Sequence, residues 1–249
     1  MENIIYDCRW SDEVDDKFIE DFISIQNQVF KCGYTEDLFI KKYVKNIYGK
    51  SVVVVVYIDN KPEGARGLWR NDINDKEAYQ PGDTCVTEAC RGKGIFSEMT
   101  KRSVAMLPED AIVYNFPNKN SYPGYIKIGW KLVNEYNMRL FTSAKKYFRE
   151  HPIKMDNAYA DWWINGDNSM FYYKWFGVYF LVRPFNKKLC YKICACVSEN
   201  TAKNFKKIPF GVFFYRSSGA SCIKMGAPVR VVSKYDNIDC IPLWKMDVI

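Results

Sequence analysis

Asp83-Thr84-Cys85-Val86-Thr87-Glu88-Ala89-Cys90-Arg91-Gly92-Lys93-Gly94-Ile95-Phe96 is the stretch on which the fold turns. Thr84 to Thr87 reads as a short strand, and Gly92-Lys93-Gly94 breaks it. Ile95 to Met106 then carries Ile95, Met99, Val104 and Met106 for burial along a helix. A strand that turns through glycines into a helix aims consecutive backbone N–H groups at one point, where an anion can sit. Arg91 and Lys93 add positive charge there. The spacing is neither that of a P-loop nor that of a G-x-G-x-x-G dinucleotide fingerprint with its trailing acid. On spacing alone, a pyrophosphate cradle and a glycine-stabilised turn with a solvated basic pair are equal readings.

Working outward, residues 12–30 place Phe18, Phe22, Ile23, Ile25, Val29 and Phe30 at helical spacing behind an acidic first turn. Thr35 opens a shorter helix whose apolar face is Leu38, Phe39 and Tyr43. Ser51 to Ile58 and Pro62 to Trp69 flank Asp59-Asn60-Lys61 and read as a hairpin. Downstream, Ala111 to Phe116 is a strand and Ser121 to Ile128 a short helix that stops at Gly129. Trp130 to Val133 and Tyr136 to Phe141 read as a strand pair. The charged stretch 142–157 reads as a solvated connection or frayed helix, which sets a domain boundary near 145. Phe171–Phe176, Val178–Pro184, Leu189–Val197, Pro209–Tyr215 and Val229–Val232 are strand-like, with one helix expected near Glu199–Phe205. No internal repeat is clear enough to assert.

The 249 residues are 48% apolar and 26% charged, which excludes disordered, collagen-like and low-complexity classes. The longest apolar run, Val52 to Ile58, is far short of the roughly twenty residues of a membrane-spanning helix. Met1-Glu2-Asn3 opens no secretory signal, so a cytoplasmic address is expected. The net charge of +7 is uneven: residues 1–140 hold 19 basic against 21 acidic side chains, and residues 141–249 hold 17 against 8. Nine cysteines (Cys8, Cys32, Cys85, Cys90, Cys190, Cys194, Cys196, Cys222, Cys240) contain no C-x-x-C pair. Reduced, mostly buried thiols are expected, without zinc or any other metal, and Cys194 and Cys196 fall on one face of a strand. The single histidine, His151, removes Ser-His-Asp chemistry, His-rich metal sites and H-E-x-x-H proteases. A lone histidine beside Pro152 reads as part of a solvated connector.

The stretch Asp83–Phe96 resembles the acetyl-CoA-binding motif of the GNAT acetyltransferases, R/Q-x-x-G-x-G/A after a strand; Arg91 and Gly94 match, and Phe96 stands where the family usually has a small residue. Asn118-Lys119-Asn120-Ser121-Tyr122-Pro123-Gly124-Tyr125-Ile126-Lys127-Ile128-Gly129-Trp130 resembles the family's second signature, N-x-x-S/A-x-x-x-Y-x-x-x-G-F/W. The resemblance covers roughly residues 5–141. It implies an α/β (α+β) GNAT fold with a mixed, mostly antiparallel sheet over residues 1–145. Residues 146–249 would then be a β-rich, degenerate GNAT-like half that contributes to acceptor binding.

The resemblance further implies that the backbone of Cys85, Val86 and Thr87 pairs with the pantetheine arm of acetyl-CoA. The amides of Arg91, Gly92, Lys93, Gly94, Ile95 and Phe96 would hold the pyrophosphate, with Asn118 and Ser121 also touching the cofactor. Tyr125 occupies the position that protonates the leaving thiolate in the family; packing as an aromatic of a short helix is the equal alternative. Asn118 as a turn residue is likewise an alternative. Glu88, or Asp83, could take the amine proton directly or through water, although each also reads as a surface carboxylate. Trp162, Trp163, Phe171, Tyr172, Tyr173, Trp175 and Phe176 form either a sugar-stacking platform or core. No Lys/Arg cluster interleaves with them, which argues against nucleic acid. The Phe116–Gly124 variant resembles that of GNAT proteins linked to bacterial surface-polysaccharide synthesis. The expected function is therefore N-acetylation of a small primary amine, an amino sugar or its nucleotide-linked form; a non-catalytic acyl-CoA- or partner-binding module is the alternative.

Overall fold

Val52, Val53, Val54, Val55 and Val56 have no exposed surface at all, so this β-branched run is a central strand covered on both faces. In the computed structural model, which describes residues 2–219, 228–235 and 241–247, the run is β2 (Val52–Ile58). It lies between β1 (Ile4–Trp10) and β3 (Lys61–Arg70), antiparallel to both. The β2–β3 turn places Asp59 and Asn60 at φ 49° and 65°, the left-handed pair that a two-residue hairpin requires. β1 escaped the sequence reading because Asp7 and Arg9 interrupt its apolar pattern; the two form an ion pair at 2.7 Å.

The chain forms two compact units, residues 1–133 with 231–238, and residues 134–230 with 239–249. In the first, α1 (Asp16–Phe30) is capped by the Asp15 carboxylate, which accepts from the Phe18 amide at 2.8 Å. It buries Phe18, Ile19, Phe22 and Ile25. α2 (Glu36–Phe39) runs directly into a π-helical turn, Ile40–Val44, that buries Lys42 and Tyr43. β4 (Ala78–Val86) starts six residues before the strand expected at 84–87, since Pro81 and Gly82 hide its pattern. α3 (Ile95–Ala105), β5 (Ile112–Asn115) and α4 (Tyr122–Lys127) follow as expected.

The division falls between Val133 and Asn134 rather than near 145. The expected strand pair is one strand, β6 (Lys131–Leu140). Of the two readings of 142–157, solvated connection or frayed helix, the helical one holds over α5 (Ala144–Glu150), whose charged residues concealed its inner face. Tyr147 packs with Phe141, Phe180 and Tyr215 in the second core. His151 is no solvated connector: its ring stacks on Tyr147 at 4.6 Å and its Nε2 lies 2.7 Å from the Arg216 carbonyl oxygen.

The second unit continues with α6 (Asn157–Tyr159), a π turn at Ala160–Ile164, and the strands β7 (Phe171–Trp175), β8 (Val178–Pro184) and β9 (Cys190–Val197). Then come α7 (Glu199–Ala202), β10 (Lys206–Lys207) and β11 (Val212–Ser217). Phe171, Tyr173 and Trp175 are partly buried and pack against the second core, with Tyr173 stacked on Phe213 at 4.0 Å, whereas Phe176 is 91% exposed. β12 (Val229–Ser233) returns to the first unit and pairs with β5 at Val232–Asn115 and Ser233–Tyr114.

The two units repeat one strand succession. In the first, β2, β3 and β4 are antiparallel, β4 is parallel to β5, and β12 is antiparallel to β5. In the second, β7, β8 and β9 are antiparallel, β9 is parallel to β11, and β6 is antiparallel to β11. The first unit thus receives its last strand, β12, from beyond the second unit's stretch 134–230, whereas β6 lies, from residue 134 on, in the second unit's own stretch. At the equivalent ends of β4 and β9 stand Cys85-Val86-Thr87-Glu88 and Cys196-Val197-Ser198-Glu199.

Among the described residues the cysteines are free thiols: Cys85, Cys90, Cys194 and Cys196 are buried, Cys8 and Cys190 partly buried, and Cys32 exposed. Cys222 and Cys240 lie outside the described residues. No helix among the described residues is long and apolar enough to cross a membrane.

Candidate active site

β4 and β5 pair only at Ala78–Ile112 and Tyr79–Val113. From Gln80 to Val86, β4 is hydrogen-bonded to β3 on one side and, among the described residues, has no strand on the other. That free backbone edge contains Cys85 and Val86 and runs straight into Thr87 and the glycine loop. An extended thioester arm can add to it as a further strand would.

The edge is bent at Asp83. Gly67 faces Gly82 and Ala65 faces Cys85, so β4 spends one residue more than β3 across this interval, and Asp83 takes up the bulge at φ 46°. Its carboxylate accepts hydrogen bonds from Tyr34 (2.8 Å), Tyr43 (2.6 Å) and Lys42 (3.0 Å), and its carbonyl oxygen accepts one from Gln26 Nε2. Burial raises the Asp83 pKa, but the Lys42 charge and the phenol and ammonium donors outweigh it and hold the carboxyl below the ordinary carboxylate value. Burial and the Asp83 charge push both phenols upward. Asp83 is therefore neither a surface carboxylate nor a free base. It is an anion saturated with donors that holds the bulge.

The loop beyond is tied at its start and open at its centre. The Thr87 amide donates to the Glu63 carbonyl oxygen at 2.9 Å and its hydroxyl donates to the Glu63 carboxylate. Gly92 and Gly94 sit at φ 81° and 79°, where an L side chain is strained, and a Cβ built on either would meet no atom within 4 Å. α3 starts at Ile95 with no side chain capping it, so its first amides are free for an outside acceptor. These features fit the pyrophosphate of acetyl-CoA. Arg91 is exposed. Lys93 is engaged with Glu2 at 2.6 Å. Glu88 lies exposed on the 3₁₀ turn Glu88–Cys90.

Tyr125 is 1% exposed and belongs to the first core. Its phenol oxygen accepts hydrogen bonds from Arg66 Nη2 and, at 2.9 Å, from Asn115 Nδ2. Phe96 stands edge-on to its ring at 5.3 Å, and Trp130 lies at 4.6 Å on another side. Phe96 is accommodated because position 124 is glycine: a Cβ there would come within 2.7 Å of the Phe96 ring. Asn118 and Ser121 instead pair with each other at the start of α4, where the Asn118 carbonyl oxygen of the side chain accepts from the Asn120 and Ser121 amides at 2.9 Å.

The structure thus joins Cys85 to Phe96 in one strand–loop–helix and brings Tyr125 against Phe96. Sequence reading missed Arg66, Asn115 and the Tyr34–Lys42–Tyr43 set around Asp83. Arg66 did leave a signal, as the lone charge inside Gly64-Ala65-Arg66-Gly67-Leu68-Trp69. It is fully buried, donates to Thr100 Oγ1 as well as to Tyr125, and places its guanidinium carbon 4.9 Å from the centre of the Phe96 ring.

Residues 12–133 match the sequence profile described as the acetyltransferase (GNAT) domain. Among solved structures, a GCN5-related N-acetyltransferase from Anabaena variabilis superposes with a TM-score of 0.57 at 11% identity, over 93% of this chain and 72% of that one. A conserved Enterococcus faecalis protein described as a probable N-acyltransferase gives 0.55 at 13% identity, over 94% and 71%. A GCN5-related N-acetyltransferase from Kribbella flavida gives 0.50 at 12% identity, over 91% and 71%. At these identities the likeness is one of fold, and it extends over both units. No curated protein matches the chain in sequence.

Proposed function

We propose that this acetyltransferase, whose GNAT domain occupies residues 12–133 and whose acyl donor is acetyl-CoA, acetylates the primary amine of a small molecule by direct attack, with both substrates bound at once. The single observation that carries the reading is the free edge of β4, open from Gln80 to Val86 and ending at the uncapped start of α3. Cys85, Val86 and Thr87 would hold the arm by their backbone, and the amides from Arg91 to Phe96 would hold the pyrophosphate. Bound acetyl-CoA supplies the thioester whose C–S bond breaks as the C–N bond to the amine forms.

Tyr125 is the proton donor in this reading. Both of its hydrogen-bond partners among the described residues are donors, so the phenol oxygen accepts twice while its own hydrogen is committed to no acceptor there. Burial raises its pKa above the ordinary phenol value, with Arg66 and Asn115 opposing the rise, which keeps the proton in place until a strong base arises. Asp83 is unsuited to deprotonate the amine, and Glu88 faces solvent, so the amine proton leaves to water or by way of Glu88.

An amino sugar, free or nucleotide-linked, is the acceptor we favour. The basic surplus of residues 141–249 and the resemblance carried by Phe116–Gly124 support it. Thiol release from acetyl-CoA against a panel of amines tests the reading: turnover is expected with amino sugars and their nucleotide forms. Binding without turnover on any amine would overturn catalysis, and turnover confined to peptide or polyamine acceptors would overturn the sugar.

A further inference from the structure

Arg66 is a full positive charge with no exposed surface, on a strand whose neighbours Ala65, Gly67 and Leu68 are apolar. Among the described residues it donates to the Phe96 carbonyl oxygen at 3.4 Å, the Thr100 hydroxyl and the Tyr125 phenol, while its Nε has no hydrogen-bond partner there. None of these is a carboxylate. The rings of Phe96 and Tyr125 lie 4.9 and 5.6 Å from its guanidinium carbon. Burying a cation without a counter-ion is costly, and burial draws the Arg66 pKa downward, against its usual tenacity.

Packing does not explain this arrangement. Thr100 already donates to the Phe96 carbonyl oxygen at 2.7 Å, as a helical threonine does without outside help, and Asn115 already donates to the phenol. What Arg66 adds is a second donor, and a charge, aimed at the one oxygen in this core that becomes anionic if Tyr125 gives up its proton. We propose that Arg66 is the positioning residue of the reaction: it fixes the Tyr125 phenol with its proton outward and stabilises the phenolate left when that proton passes to the departing sulfur. The inference rests on Tyr125 being the proton donor. The O–H bond of Tyr125 breaks, an S–H bond forms, the negative charge moves to the phenol oxygen between Arg66 and Asn115, and the phenolate regains a proton from solvent as the acetylated ammonium loses one.

The uncompensated charge supplies a test that separates this role from a structural one. Replacing a buried, unpaired cation by an apolar side chain of similar length leaves a fold as stable or more so, whereas a structural arginine is missed. Arg66→Met is expected to keep or raise the thermal midpoint of the ligand-free protein and to keep the acetyl-CoA affinity, while kcat falls about 100-fold, the range for loss of one donor to a developing anion. Arg66→Lys, which keeps the charge with one fewer geometric match, is expected to recover part of kcat. In a Tyr125→Phe background, Arg66→Met is expected to change kcat less than threefold. A lower midpoint with kcat lost equally in both backgrounds would overturn the proposal, as would unchanged kcat in Arg66→Met. Full activity of Tyr125→Phe alone would instead overturn the proton-donor reading, so the two failures are told apart.

Discussion

Asp83 and Lys42 meet at 3.0 Å at the point where β4 bulges, although they are 41 positions apart in sequence and lie on a strand and a π turn. Lys42 is 5% exposed and rests over the Trp69 ring at 4.9 Å, so Asp83 is the carboxylate that makes its burial tolerable. The same carboxylate anchors the one residue of β4 in the left-handed region. The geometry of the free edge therefore depends on a charge pair.

Asp83→Asn isolates the charge, because asparagine accepts φ near +46° readily and keeps an oxygen for Tyr43. Lys42 would be left buried and unpaired. A loss of about 3 kcal/mol in stability at pH 7 is expected, at the lower end for a broken buried pair since Asp83 is one-fifth exposed. The pH dependence follows from a carboxyl held below its ordinary value. Its contribution is complete above about pH 4, the pKa of an unfolded aspartate, and is lost as pH falls through the lower folded value. Urea melts at pH 7 and near pH 3 should show a gap between wild type and variant that narrows in acid; a gap of equal size at both would refute the assignment.

Gly94 supplies the second test, of the cradle itself. Its φ of 79° strains any side chain by about 1–2 kcal/mol, yet a Cβ would strike nothing. Gly94→Ala is expected to weaken acetyl-CoA binding by about tenfold through strain alone. Gly94→Glu adds a carboxylate beside the pyrophosphate, and at an effective dielectric near 20 the repulsion should bring the loss to about 1000-fold. Calorimetric titration of the three proteins checks the order. Equal affinities for the alanine and glutamate variants would show that the phosphates sit elsewhere.

Tyr125→Phe removes a proton donor and also leaves Arg66 and Asn115 each short of an acceptor. Turnover is expected to fall 100- to 10,000-fold, with a stability loss of about 1–3 kcal/mol and little change in acetyl-CoA affinity. Single-turnover measurement at a temperature where both proteins are folded separates the effects. A variant with wild-type turnover would reduce Tyr125 to the packing role that its contacts with Phe96 and Trp130 also permit.

What the sequence disclosed and what it hid follow from distance along the chain. Gly92 and Gly94 announced their loop because a left-handed backbone between a strand and a helix is a local event. The bulge at Asp83 was not local: it arises from the pairing of β4 with β3, and its donors come from residues 34, 42 and 43. Arg66 looks out of place in its own strand, and its partners lie 30, 34 and 59 positions away. The stretch 142–157 reads ambiguously between connection and helix because Lys145, Lys146 and Arg149 mask Ala144, Tyr147 and Phe148, which pack on the second core from a seven-residue helix. The return of β12 to the first unit had no local signature, and the four residues Cys-Val-Thr/Ser-Glu become a repeat only once both copies are seen to end equivalent strands.

That repeat leads to the last prediction, one acetyl-CoA per chain. β9 separates from β11 much as β4 does from β5, since the two pair only at Cys190–Val212, Tyr191–Phe213 and Lys192–Phe214. Beyond Lys192 the β9 edge is partly taken, the Met155 amide donating to the Cys196 carbonyl oxygen at 3.1 Å, and the cradle is missing among the described residues. Between Val86 and Ile112 the first unit has the two left-handed glycines and the eleven-residue α3, whereas between Val197 and Val212 the second has a four-residue helix, α7, and a single glycine, Gly211, next to β11. Ser198 is spent as the cap of α7, accepting from the Thr201 amide at 3.1 Å. The cavity at this end of β9, about 470 Å³, is bordered by Glu199, whose carboxyl Lys203 and Tyr179 hold below its ordinary value. A negative charge there opposes a phosphate. Titration of wild type should give a stoichiometry of one, with Gly94→Glu abolishing the whole signal at concentrations that saturate the wild type. A residual site in Gly94→Glu, or a stoichiometry of two, would mean that the second unit has kept a cofactor site by other means.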